Sequence, residues 1–120
     1  MAKIFVHLTH GPEAPTQADR AFLIAKAALE EGHAVSMFLA GAAVTLMREE
    51  AMDHVYGFGL KLREYYDFII EKGGRIYLSS MSCESRGMTA EDLRGKAVTL
   101  ASPNDLVNLS VEHDRMFTYG

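Results

Sequence analysis

The chain has 120 residues, enough for one domain with a continuous core, and its 48% hydrophobic and 23% charged content excludes disorder as the default state. A formal charge of −4 with scattered lysine and arginine leaves no footprint for nucleic acid or for an anionic membrane surface. No apolar run approaches the ~20 residues that cross a bilayer, the first residues read as a strand and not as a secretory leader, and a single cysteine fits a reducing, cytoplasmic compartment.

Ile4 to Leu8 is a short apolar run rich in β-formers, as in a strand buried on both faces. Two prolines and a glycine make His10 to Pro15 a loop. Thr16 is placed to cap a helix with Asp19 in its first turn. The helix formers from Gln17 to Glu31 then carry Ala18, Ala21, Phe22, Ala25, Ala28 and Leu29 on one face. Gly32 stops that helix. Val35 to Leu39 is a second strand, which completes a right-handed βαβ unit. A short helix is predicted near Val44 to Met52, then a loop around Gly57 and Gly59, then a helix from Leu60 to Lys72 ended by Gly73-Gly74. Ile76 to Ser80 is the third strand, Thr89 to Leu93 has the spacing of a capped short helix, and Ala97 to Leu100 is a fourth strand. Pro103 suits the first turn of a helix reaching Glu112, and Arg115 to Tyr119 closes as a last strand. Strands alternate with helices throughout, which predicts one layered α/β domain over residues 1–120.

Ligands gather at the carboxyl ends of the strands in such sheets. The candidate segments are therefore His10 to Thr16, Ala40 to Leu46, Ser79 to Gly87 and Ala101 to Asn104. The third holds Cys83, the one cysteine. Backbone N–H groups near Ser85 and Arg86, with the arginine's charge, would favour a thiolate there; Glu84 would oppose it. Ser79, Ser80, Ser82 and Ser85 could orient a bound sulfur species or anion. The competing reading makes Cys83 a small buried hydrophobe. The five histidines share no ligand spacing with Cys83, so no metal site is expected. His10 alone, after the first strand, is a candidate pocket residue. No G-x-G-x-x-G spacing and no nucleophile elbow is present. Methionines and aromatics between Val44 and Phe68 read as core or as subunit interface, with Tyr56, Phe58 and Tyr66 the interface candidates.

Four stretches together resemble the DsrE/DsrF-like family, which includes the TusD-type sulfur-relay subunits. They are Ile4-Phe5-Val6-His7-Leu8-Thr9, the alanine-rich helix running into Glu31 to Leu39 and Gly41, Ile76-Tyr77-Leu78 through Cys83 to Arg86-Gly87-Met88, and Asp114 to Tyr119. The resemblance implies a three-layer sandwich with a mainly parallel five-stranded sheet, assembled as a homo-oligomer, a trimer or hexamer. It also implies persulfide sulfur carried on a cysteine in the stretch matching Ser79 to Arg86. Cys83 is the only cysteine available for that role, although Ser79 or Ser82 falls where the family's reactive cysteine is expected when counted back from Arg86-Gly87.

Two readings follow. In the first, Cys83 is the nucleophile of a sulfur carrier or sulfurtransferase, with Arg86 stabilising its anion and Ser82 or Ser85 orienting the acceptor. Sulfur donor and acceptor proteins or small thiols would be its partners, with no metal or organic cofactor, no nucleic acid and no membrane. In the second, the chain is a non-catalytic oligomeric module that binds a small ligand or partner in a pocket lined by His10, Gly41, Met81 and Ser82. A flavodoxin-like nucleotide binder is a weaker third.

Overall fold

The computed structural model describes residues 1–120. Strand β1 (Lys3–Leu8) buries Phe5, Val6 and Leu8 completely, as a central parallel strand must when both its faces are covered. Helix α1 (Pro15–Glu30) returns the chain to β2 (Ala34–Leu39), whose residues pair with β1 in register from Lys3 opposite Ala34 to Leu8 opposite Leu39. A 3-10 helix (Gly41–Met47) and helix α2 (Glu49–His54) follow, then a small antiparallel hairpin of β3 (Tyr56–Gly57) and β4 (Leu60–Lys61). Helix α3 (Leu62–Glu71), strand β5 (Arg75–Ser79), helix α4 (Ser80–Ser85), strand β6 (Val98–Ala101), helix α5 (Pro103–Glu112) and strand β7 (Arg115–Tyr119) complete the chain. No helix is long and apolar enough to cross a membrane.

The main sheet has five strands in the order β6-β5-β2-β1-β7, and every neighbouring pair is parallel. Alternate side chains divide the core between its faces. Ile4, Val6 and Leu8 of β1 join Val35, Met37 and Leu39 of β2 and Ile76 and Leu78 of β5 on one face. Against them pack Ala18, Phe22 and Ala25 of α1 and Leu62, Tyr65 and Ile69 of α3, within a cluster of 23 buried residues. The opposite face is far thinner. Phe5, Phe38 and Ala101 form its core, and α5 covers them through Leu106 and Leu109 without burying a single residue of its own.

The three-layer α/β fold and the parallel five-stranded sheet are present as expected, with the strands shifted by a residue at most. The helical segments differ more. α1 starts at Pro15, with Ala14 at its N-cap and no side-chain cap, so Thr16 is already inside it. Proline has no N–H to satisfy and its fixed φ suits a first helical position, which removes the need for a cap. Asp19 then lies beyond the first turn and is buried. The helix expected from Val44 to Met52 is two pieces, broken where Arg48 is extended at φ −73° and ψ 144°. The loop around Gly57 and Gly59 is the β3–β4 hairpin. Thr89 does accept a hydrogen bond from the Asp92 N–H at 3.3 Å, but the segment forms turns and no helix. Tyr66 is buried and its hydroxyl accepts the Ala97 N–H at 2.6 Å, so it belongs to the interior and not to an interface.

Candidate functional site at the strand ends

At the end of β5, the Ser79 hydroxyl accepts the Ser82 N–H at 3.2 Å and starts α4. The Ser82 hydroxyl in turn accepts the Gly41 N–H at 2.8 Å, tying α4 to the exit of β2. Gly41 has φ 58°, a left-handed value that glycine adopts without strain, and this aims its N–H across the gap. Toward the end of α4, the Ser85 hydroxyl donates to the Ser82 carbonyl at 3.2 Å, and the Arg86 guanidinium donates to the Ser85 hydroxyl at 3.3 Å. The structure therefore brings Gly41, Ser82, Ser85 and Arg86 into one connected group. Ser82→Ala would leave the Gly41 N–H without its acceptor, with an expected loss of about 1 kcal/mol in chemical denaturation; an unchanged midpoint would show that water replaces the hydroxyl.

Cys83 stands apart from this group. It is 5% exposed and belongs to the large core cluster. As the fourth residue of a six-residue helix it turns its side chain inward, and so short a helix lends little dipole. Burial pushes its thiol pKa above the ordinary value, and no cation offsets that rise. Met81 points the other way and is 64% exposed. His10 is half-buried in the loop after β1, where its Nδ1 lies 3.7 Å from a Glu13 carboxylate oxygen, and it makes no hydrogen bond to the α4 group. That same Glu13 carboxylate accepts the Gly11 N–H at 2.9 Å and 3.0 Å, filling the place an anion would take.

A cleft of about 580 Å³ opens beside these loops. Pro12 from the β1–α1 loop and Pro15 at the start of α1 form one wall, and Thr45 and Arg48 from the segment after β2 form another. His54 and Val55, with Tyr56 of the hairpin, close it. The His54 Nδ1 lies 2.8 Å from the Glu50 carbonyl, so in the neutral ring Nδ1 holds the proton and Nε2 is free to accept. Arg48 connects the cleft to α4, because its guanidinium donates to the Arg86 carbonyl at 3.1 Å and lies 3.9 Å from Asp92. Opposite the cleft, α2 is pinned by Glu49, which pairs with Arg63 and accepts from Lys96 at 2.9 Å. The close approach of the two loops requires Gly11, since any side chain there would overlap the Ala42 carbonyl.

Arg48, His54 and Tyr56 had no place in the sequence-derived site. Arg48 lies two residues past the Ala40 to Leu46 segment, between Met47 and the pair Glu49-Glu50, and nothing in that local sequence marks it as a site residue. On the thin face of the sheet, His7 is partly buried with its Nε2 unpartnered, edge-on to Phe38, and burial lowers its pKa. No three His, Cys, Asp or Glu side chains converge as metal ligands would.

Known structures share this architecture. The E. coli YchN protein superposes with a TM-score of 0.84 at 18% identity, over 99% of this chain and 100% of that one. A conserved protein of unknown function from Bacteroides thetaiotaomicron gives 0.72 at 14% identity over 98% and 94% of the chains. A protein of unknown function from Methanobacterium thermoautotrophicum gives 0.64 at 16% identity over 98% and 99%. At such identities the likeness establishes the fold alone. No curated protein sequence matches. The family model fits residues 2–119, a span that takes in every strand of the sheet, the α4 segment and the cleft loops, and on that evidence the chain belongs to the DsrE/DsrF-like family.

Proposed function

We propose that this DsrE-like chain is an oligomeric binding module that holds a small ligand or partner at the carboxyl ends of its sheet, in the cleft edged by Arg48. The observation that carries this reading is the placement of Cys83: its thiol faces the core, while Thr45, Arg48 and His54, and not His10, Gly41, Met81 or Ser82, line the open cleft. The cleft has the location expected for ligands in a parallel sheet and combines an apolar wall with a few convergent polar groups. Assembly is supported by the thin face of the sheet, where Val107 and Val111 of α5 and Met116 of β7 stay exposed, Val111 at 79%. A trimer or hexamer in a reducing cytoplasm is the form this reading assumes.

Sulfur relay is the second reading, favoured by membership of the family and by the polar setting of the α4 segment. It needs the Cys83 thiolate to attack the outer sulfur of a donor persulfide, forming a Cys83 persulfide and releasing the donor thiolate. Reduced protein incubated with a persulfide donor and weighed intact separates the two. No added sulfur in the native state, with uptake appearing once urea unfolds the chain, is the expected result. Uptake by the folded protein that vanishes in Cys83→Ser would overturn the binding-module reading. Sedimentation at micromolar concentration, with Val111→Glu shifting the species toward monomer, tests assembly separately.

A further inference from the structure

One buried carboxylate takes no part in the cleft. Asp19, in the second turn of α1, is 1% exposed, and its Oδ1 meets no hydrogen-bond donor. A carboxyl group hidden from water without a donor favours its protonated form. What hides it is the β3–β4 hairpin, because Gly57 lies so near that a methyl group on its Cα would overlap the Asp19 carboxylate. The hairpin itself is slight. Each strand has two residues, and the turn between them sets Phe58 at φ 54°, a left-handed value that a bulky side chain resists. Leu60 packs against the main core cluster, and few polar contacts hold the rest down. The Tyr65 hydroxyl donates to the Gly57 carbonyl at 2.9 Å, the Leu62 N–H donates to the Val55 carbonyl at 2.8 Å, and the Arg20 guanidinium lies 5.6 Å from the Phe58 ring.

The geometry points to a pH-responsive latch: protonated Asp19 lets the Tyr56–Lys61 hairpin lie closed on α1, and ionised Asp19 drives it open so that water reaches the carboxylate. The groups around Asp19 offer its anion no relief. From α3, the facing titratable group is the Tyr65 phenol, whose own pKa is raised first by burial and then by the negative charges of Asp19 and Glu64. On the hairpin, the titratable groups are Tyr56, which is exposed, and Lys61, at the end of the second strand. On α1 the adjacent cation, Arg20, is engaged by the Phe58 ring. β1 and β2 present only Ile4, Val6, Leu8, Val35, Met37 and Leu39 to this side, and β7 presents Tyr119 and, at its far end, Arg115. Burial alone therefore acts on Asp19, and it raises the pKa from 3.8 to about 6. Tyr56 begins the hairpin and also lines the cleft, so the latch moves one wall of it.

Hydrogen exchange of the amides from Tyr56 to Leu62, expressed as protection relative to an unstructured peptide at the same pH, reads the latch. Protection is expected to fall about tenfold between about pH 5 and pH 8, the span over which a carboxyl with a folded pKa near 6 ionises. In Asp19→Asn the fall should disappear, while amides of β1 and β2 report an intact sheet. Gly57→Ala, which overlaps the carboxylate, should leave the hairpin poorly protected at both pH values. Flat protection in the wild type, or the same fall in Asp19→Asn, overturns the proposal. Should Asp19→Asn not fold, the carbon-13 titration of the wild-type Asp19 carboxyl decides. A midpoint shared with the hairpin amides supports the latch, and a different midpoint refutes it.

Discussion

Iodoacetamide is expected to modify Cys83 of the folded protein at least about a hundredfold more slowly than an unstructured cysteine peptide. Two effects multiply. The thiol is 5% exposed inside the main core cluster, so reagent must await a local opening. Burial also raises its pKa, which lowers the thiolate fraction that does the attacking. In urea the rate should climb to that of the peptide. A native rate within a few-fold of the peptide's would put the sulfur at the surface and bring the relay reading forward. Moving the thiol by one residue gives a sharp contrast. In Ser82→Cys combined with Cys83→Ser, the sulfur would occupy a half-buried position that receives the Gly41 N–H, and its alkylation should be the faster of the two.

Asp19→Asn is expected to stabilise the protein at neutral pH by about 1–2 kcal/mol, less than full burial of a charge would cost because opening of the hairpin gives the ionised carboxylate access to water. The pH dependence carries the sign. Asp19 has its pKa raised from 3.8 to about 6 in the folded state. The folded chain therefore holds a proton that the unfolded chain releases, and this favours folding fully below about pH 3.8. The contribution fades as pH rises through about 6, beyond which the wild type retains an ionised, unpartnered group. Denaturation midpoints of wild type and variant should accordingly lie close together near pH 4 and separate by pH 7.5. A constant separation across that range would mean the substitution acts through packing and not through charge.

The sheet could be read from the chain because central parallel strands are uniform in character. Ile4 to Leu8 and Val35 to Leu39 are apolar on both faces apart from His7 and Ser36, and a strand is the element that satisfies so short a run between turns. Pro103 fixed the start of α5 for a local reason, a preset φ with no N–H to lose, reinforced by Ser102 and Asp105, which cap each other. At Pro15 the same chemistry starts α1 one residue before Thr16, whose hydroxyl caps nothing. Segments governed by distant contacts were less legible. The break at Arg48 coincides with a hydrogen bond from its side chain to the Arg86 carbonyl, which is 38 residues away, and no local pattern records that. Cys83 was ambiguous for a related reason. A cysteine at a strand exit can face either way, and here α4 turns the thiol inward with Ser82 beside it bonded to the Gly41 N–H, a contact 41 residues away in sequence. Asp19 had a faint signal in being one residue from Ala18 and three before Phe22, at the border of the apolar stripe. Its burial became definite only with Gly57 laid over it.

Helix α5 touches the sheet through Leu106 and Leu109, helped by the stacking of His113 on Phe5 at 5.0 Å. So light an attachment is expected to let this helix lift from the isolated chain on warming while the larger cluster beneath α1 and α3 still holds. The species produced keeps nearly all its secondary structure but bares Phe5 and Phe38 as an oily ribbon, and neighbouring molecules meeting through it would coagulate before they could refold. Shelf life at moderate temperature is then expected to follow the attachment of these ten residues more closely than the free energy of the whole domain.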